Sequence, residues 1–118
     1  MNAESSPATN WSIAFLTQLT RSGVKHIVIS PGSRSQALAL AADALSRSNA
    51  IDLSVHVCID ERTAGFYGLG LAVDSGVPTA LLCTSGSAPG HYLPALLEAK
   101  HSGIPLIALT ADRPVELR

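Results

Sequence analysis

A chain of 118 residues that is 47% hydrophobic and 14% charged has the length and apolar content of one small domain with a single buried core, not of a disordered segment. Its formal net charge is −1 and its eight basic residues are scattered from Arg21 to Arg118, so no basic stripe exists to follow a nucleic-acid backbone. No apolar run approaches the roughly 20 residues that span a bilayer, and "MNAESSPATNW" lacks the parts of a secretory signal, so the chain reads as cytoplasmic, with no membrane span.

In chain order, Trp11, Ile13, Ala14, Leu16 and Leu19 recur at helical spacing and predict a helix from Pro7 to Arg21. Ser5, Ser6 or Thr9 can cap it, and Ser22-Gly23 can end it. "VKHIVIS" is a short β-branched strand, "PGSRS" breaks it, and Ser33 or Ser35 can cap a second helix through "QALALAADALSRS". The phrase then repeats: strand "LSVHVCI", breaker "DER", helix "TAGFYGLGLAVDSG"; strand "PTALLC", breaker "TSGS", helix "APGHYLPALLEAKHSG"; strand "IPLIALT", breaker "ADRP". Cys58 and Cys83 each lie in an apolar run, outside any metal-ligand spacing, and read as reduced core thiols.

Strands this apolar, joined by crossovers long enough to hold a helix, imply a parallel sheet covered on both faces. The fold class is therefore α/β, a doubly wound parallel sheet flanked by helices. After the fourth strand comes only "ADRPVELR", so the chain reads as the front part of something larger.

In such a sheet, ligands bind outside the carboxyl ends of the strands. Those ends carry Ser30-Pro-Gly-Ser-Arg34, Asp60-Glu-Arg62, Thr84-Ser-Gly-Ser87 and Thr110-Ala-Asp-Arg113. Each set alone is explained by turns and helix caps. Together, two arginines, an acid pair and two hydroxyl-rich loops suit an anionic ligand, with Arg34 and Arg113 as carboxylate clamps. Facing an apolar crevice, Glu61 would be desolvated and able to carry a proton near neutral pH. "GLGLA" at 68–72 lies within a helix and is explained by packing on the sheet, not by a dinucleotide site. "TSGSAPGH" offers Ser85 or Ser87 with His91 but lacks a nucleophile elbow. A phosphate cradle keeps some weight, and a non-catalytic α/β anion-binding or interaction module is the alternative to an enzyme.

The segments "ISPGSRSQALALA", "HVCIDERTAGFYGLGLA", "TSGSAPGHYLPALLEA" and "IPLIALTADRPVELR" resemble, in order and spacing, the N-terminal pyrimidine-binding domain of thiamine-diphosphate-dependent enzymes. They are most similar to the menaquinone-pathway 2-succinyl-5-enolpyruvyl-6-hydroxy-3-cyclohexene-1-carboxylate synthases, and the resemblance runs from Gly23 to Arg118. It implies that residues 1–118 are the N-terminal part of that domain, with the central and diphosphate-binding domains absent. It further implies an enzyme that decarboxylates 2-oxoglutarate and adds the product to isochorismate, using thiamine diphosphate and Mg²⁺ held by the absent diphosphate-binding domain. Glu61 matches the glutamate that hydrogen-bonds N1′ of the cofactor aminopyrimidine and favours its imino tautomer. Ser33, Arg34 and Arg113 match positions near the substrate carboxylates; Pro31, Ser85, Gly86 and Ser87 match positions near the pyrimidine. Asp60 and Arg62 are expected to fix the turn. The family forms its site between subunits, which implies a homodimer or homotetramer and an inactive isolated fragment. The sequence departs from the family pattern at Gln36-Ala37, Ser87 and His91.

Overall fold

A computed structural model describes residues 6–118. Four helices, α1 (Pro7–Arg21), α2 (Gln36–Arg47), α3 (Glu61–Ser75) and α4 (Leu93–Ser102), alternate with four strands, β1 (His26–Ile29), β2 (Ser54–Val57), β3 (Thr79–Cys83) and β4 (Leu106–Thr110). The strands form one parallel sheet in the order β2-β1-β3-β4, which bears out the doubly wound reading. Its register pairs Ile27 with Val55 and with Ala80, and Leu82 with Leu109.

Side chains alternate across a strand, so odd and even positions feed two different cores. On one face Ile27, Ile29, Ala80 and Leu82 pack with Leu16 of α1 and with Ala41 and Ala42 of α2. On the other, Val28, Leu81 and Cys83 pack with Ala64 of α3 and with Ala88 and Tyr92 of the 3₁₀ turn before α4. β3 is buried at all five residues, whereas the edge strands β2 and β4 are only partly covered. Cys58 and Cys83 are free thiols, half-buried and buried respectively.

Several boundaries differ from the sequence reading, each for a local reason. Ser6 caps α1 by accepting from the Thr9 amide; Ser5 lies outside the described residues. Ser35 stands at the N-cap position of α2, but its hydroxyl donates to the Gly32 carbonyl, and a 3₁₀ turn over Ser33–Ser35 leads into the helix. The third helix begins at Glu61, not after Arg62, because Asp60 accepts from the Thr63 amide at 3.0 Å and starts the helix itself. The last predicted helix splits into a 3₁₀ turn, Ala88–Tyr92, and α4. No helix among the described residues is long and apolar enough to cross a membrane.

Candidate functional site

In the order β2-β1-β3-β4, the helix after β1 covers one face of the sheet and the one after β3 covers the other. The loops leaving these neighbouring strands therefore diverge, and the crevice between them is where open α/β sheets bind ligands. The first loop holds Pro31, Gly32, Ser33 and Arg34; the second holds Thr84, Ser85, Gly86 and Ser87.

The two loops touch. A side chain on Gly32 would collide with Thr84, so glycine is the residue that lets them close together. Arg34 Nη1 donates to Ser85 Oγ across the crevice at 3.4 Å. Gly86 turns at φ +80°, a left-handed conformation that glycine adopts without strain, and so aims the loop toward the 3₁₀ turn. Pro31, Ser33, Arg34, Gly86 and Ser87 are exposed, and Ser85 is half-buried.

Beneath the loops, Ser30 ties the strand ends together. It is fully buried; its amide donates to the Leu82 carbonyl at 2.9 Å and its hydroxyl to the Cys58 carbonyl at 2.7 Å. Beside it, Cys83 and Tyr92 complete a buried polar floor. The Tyr92 hydroxyl makes no hydrogen bond there, and burial pushes its ionisation far up, with further upward pressure from Cys83 and Glu61. Burial likewise pushes the Cys83 thiol up. Sequence reasoning missed this floor because Ser30 and Tyr92 come from separate elements. The apolar surroundings of Tyr92 in its segment were the only signal.

Glu61, half-buried at the first position of α3, lies near enough for its charge to act on both Cys83 and Tyr92 of the floor. Its neighbour Asp60 is held below the ordinary carboxylate value chiefly by the Thr63 amide, so of the acid pair it is Asp60 that caps the helix. Arg62 lies on the outer side of α3, lining an open hollow with Thr63, Phe66 and Tyr67.

Arg34 and Arg113 do not meet. Arg34 lines a cavity of about 320 Å³ with Trp11, Leu38, Thr110 and Asp112, between the starts of α1 and α2 and the segment after β4. Arg113 is exposed; its amide donates to its neighbour Asp112, which also pairs with Arg118 Nε at 2.9 Å. The carboxyl edge of the sheet thus carries Glu61, Ser33 and Arg34 around the β1 and β3 loops, with Arg113 beyond β4.

The floor fits one half of the implied cofactor. A half-buried carboxyl at the start of α3, near the buried and unpartnered Tyr92 hydroxyl, offers an acceptor and a donor of the kind an aminopyrimidine edge requires. For a divalent metal the residues do not fit: among those described, no three His, Cys, Asp or Glu side chains are gathered to hold one.

A family model described as the thiamine pyrophosphate enzyme, N-terminal TPP binding domain, matches residues 9–118. The chain is 54% identical, over 112 residues, to a protein of Leifsonia xyli named 2-succinyl-5-enolpyruvyl-6-hydroxy-3-cyclohexene-1-carboxylate synthase, covering 95% of this chain and 19% of that protein. A protein of the same name from Clavibacter michiganensis is 53% identical, with the same coverage, and one from Listeria innocua is 52% identical over 110 residues, covering 93% of this chain and 18% of that protein. The chain spans about a fifth of the length of these relatives. Among solved structures, benzoylformate decarboxylase from Polynucleobacter necessarius superposes with a TM-score of 0.69 at 19% identity, covering 93% of this chain and 19% of that one.

Proposed function

This chain belongs to the thiamine pyrophosphate enzymes, and we propose that it supplies the pyrimidine-side half of the active site in a transferase that decarboxylates 2-oxoglutarate and joins the remaining four-carbon unit to isochorismate. The observation that supports this reading is the position of Glu61. It is the first residue of a helix at the carboxyl edge of the sheet, above a buried polar floor, in a chain more than half identical to synthases named for that product.

Thiamine diphosphate, when bound, supplies the electron sink that allows a 2-oxo acid to lose carbon dioxide and its acyl carbon to act as a nucleophile. The protein's part is proton control and orientation. Glu61 would hold a proton against the ring nitrogen N1′ of the aminopyrimidine, while Asp60 fixes the helix start that presents it. Pro31, Ser85, Gly86 and Ser87 would border the pyrimidine from the two crevice loops. Ser33 and Arg34 would receive a substrate carboxylate, Arg34 through its planar fork, with Arg113 serving a second carboxylate from beyond β4. The ligands for Mg²⁺ and the diphosphate would come from outside the residues described, either from a diphosphate-binding domain or from the second subunit of a homodimer or homotetramer.

The test is Glu61→Gln in the synthase that carries this segment. The exchange of the thiazolium C2 proton of bound thiamine diphosphate, followed by NMR, falls roughly 10²-fold or more, with the circular dichroism of the fold unchanged. An exchange rate equal to that of the parent overturns the reading.

A further inference from the structure

Two buried side-chain oxygens find no hydrogen-bond partner among the described residues, the hydroxyls of Thr79 and Tyr92. Thr79 opens β3, at the end of the sheet away from the crevice; Tyr92 closes the 3₁₀ turn that follows the β3 loop. A phenol sealed from water and left unbonded lowers stability, and phenylalanine would fill the same space without that loss. Packing alone therefore gives no reason for the hydroxyl.

The helix beside it does. Ala64, Gly65, Gly68 and Ala72 form the buried seam of α3, and Glu61 heads that seam, one turn before Gly65 on the same side of the helix. At Gly65 the helix lies directly on Tyr92: a side chain placed there would come within 3.6 Å of Cδ1 of the ring. Side chains lean toward the amino end of their helix, so Glu61 extends from this contact toward the strand ends. There its charge acts on Tyr92. Among the described residues, Glu61 takes part in no side-chain hydrogen bond or ion pair, so a free acceptor stands near a free donor.

We propose that Tyr92 is a positioning residue, whose hydroxyl donates to the inward carboxyl oxygen of Glu61 when thiamine diphosphate occupies the crevice and leaves the outward oxygen to face N1′. The proposal rests on the proposed role of Glu61. A carboxyl has two oxygens, and a proton meant for the ring nitrogen serves only on the one that faces it. An O–H donated to the inward oxygen keeps that proton on the outward one. Tyr92 suits the task because burial pushes its ionisation far up, so it remains a neutral donor and does not give up its own proton. One proton then passes between Glu61 and N1′, and the phenol stays O–H throughout.

A double-mutant cycle in the synthase that carries this segment tests the proposal, read by C2 proton exchange of bound thiamine diphosphate and by the dissociation constant of the cofactor. Tyr92→Phe is expected to slow exchange roughly 10-fold or more, the worth of a hydrogen bond to a charged group. In the Glu61→Ala background the same change should leave exchange where it is. The dissociation constant should stay within about twofold of the parent's, because the hydroxyl touches Glu61 and not the cofactor. An unchanged exchange rate in Tyr92→Phe, an equal loss in both backgrounds, or a dissociation constant that rises as far as exchange falls overturns the proposal. Should Glu61→Gln leave exchange unchanged, the assignments of Glu61 and Tyr92 fall together. Should it slow exchange while Tyr92→Phe does not, only that of Tyr92 falls.

Discussion

The two faces of the sheet are filled by different means. On the α1 and α2 face, Leu16, Phe15, Leu19, Leu38 and Leu45 reach in to Ile27, Ile29 and Leu82, and the helices turn a recognisable apolar side to the core. On the α3 and α4 face the fully buried helix residues are small: Ala64, Gly65, Gly68, Ala72, Ala95 and Ala99. The large apolar side chains of those helices divide: Leu71 and Leu96 pack partly buried against that core, whereas Phe66, Tyr67, Val73, Leu93 and Leu97 are 46–60% exposed. One layer is held off the sheet by branched side chains; the other lies close against it, with Tyr92 as its one large buried member. Close approach brings the start of α3 to the strand ends, and this is the face on which Glu61, Cys83 and Tyr92 come together. The lesson is that the layer that brings Glu61 toward Cys83 and Tyr92 gains its proximity from missing side chains, so it should respond to substitution differently from the layer opposite.

The largest contrast is expected from Leu82→Ala on the α1 and α2 face. Leu82 is fully buried among large neighbours that cannot collapse onto it, and the change should cost about 2–5 kcal/mol in urea unfolding. A loss below 1 kcal/mol would mean that this face is not packed by bulk. Within α3, two glycines two residues apart should give opposite signs. A methyl group on Gly68 would overlap Leu81 Cδ2, so Gly68→Ala should lose about 1–3 kcal/mol, whereas a methyl on Gly70 meets nothing within 4 Å, and Gly70→Ala should gain up to about 1 kcal/mol from helix propensity. Equal responses from the two would erase the distinction between the inner and outer sides of the helix.

Smaller still is Tyr92→Phe. The lost hydroxyl has no hydrogen-bond partner in the floor, so the variant should be as stable as the parent or slightly more so, by less than about 1 kcal/mol in the same assay. A clear loss would show that the hydroxyl is bonded in solution. The smallest effect concerns pH. Asp60 is lowered on folding, so the unfolded chain binds its proton first. Stability from the cap is present above the ordinary value of 3.8 and fades as pH falls through the folded value. Asp60→Asn keeps a capping oxygen without the titration and should flatten that part of the acid limb in thermal melts recorded against pH. An acid limb identical to the parent's would remove Asp60 from the linkage.

Much of the architecture was legible because the alternation of apolar runs with helical patterns repeats four times, and a parallel sheet is the economical way to bury such runs. The placement of unusual residues at the strand ends followed from that alone. Helix starts were less legible: "DER" reads as a break, yet Asp60 opens the helix and draws Glu61 and Arg62 into its first turn. Packing on the sheet explains Gly68 but not Gly70, which points to open space. A linear pattern does not show which of two helical glycines faces inward when the apolar residues surround the helix on all sides, as they do in α3.

By itself, the sequence determined the fold class, the family resemblance, and the set of residues gathered at the carboxyl edge, because backbone direction and apolar periodicity are local properties of the chain. Only the tertiary structure decided which strand ends adjoin. The sheet order sets β1 beside β3 and leaves β2 at one edge, so Arg34 reaches Ser85 while Arg113 stays apart, and His26 meets His56 and Tyr67. Those encounters depend on strand neighbours and helix depth, which are set by how whole layers pack and not by any single segment.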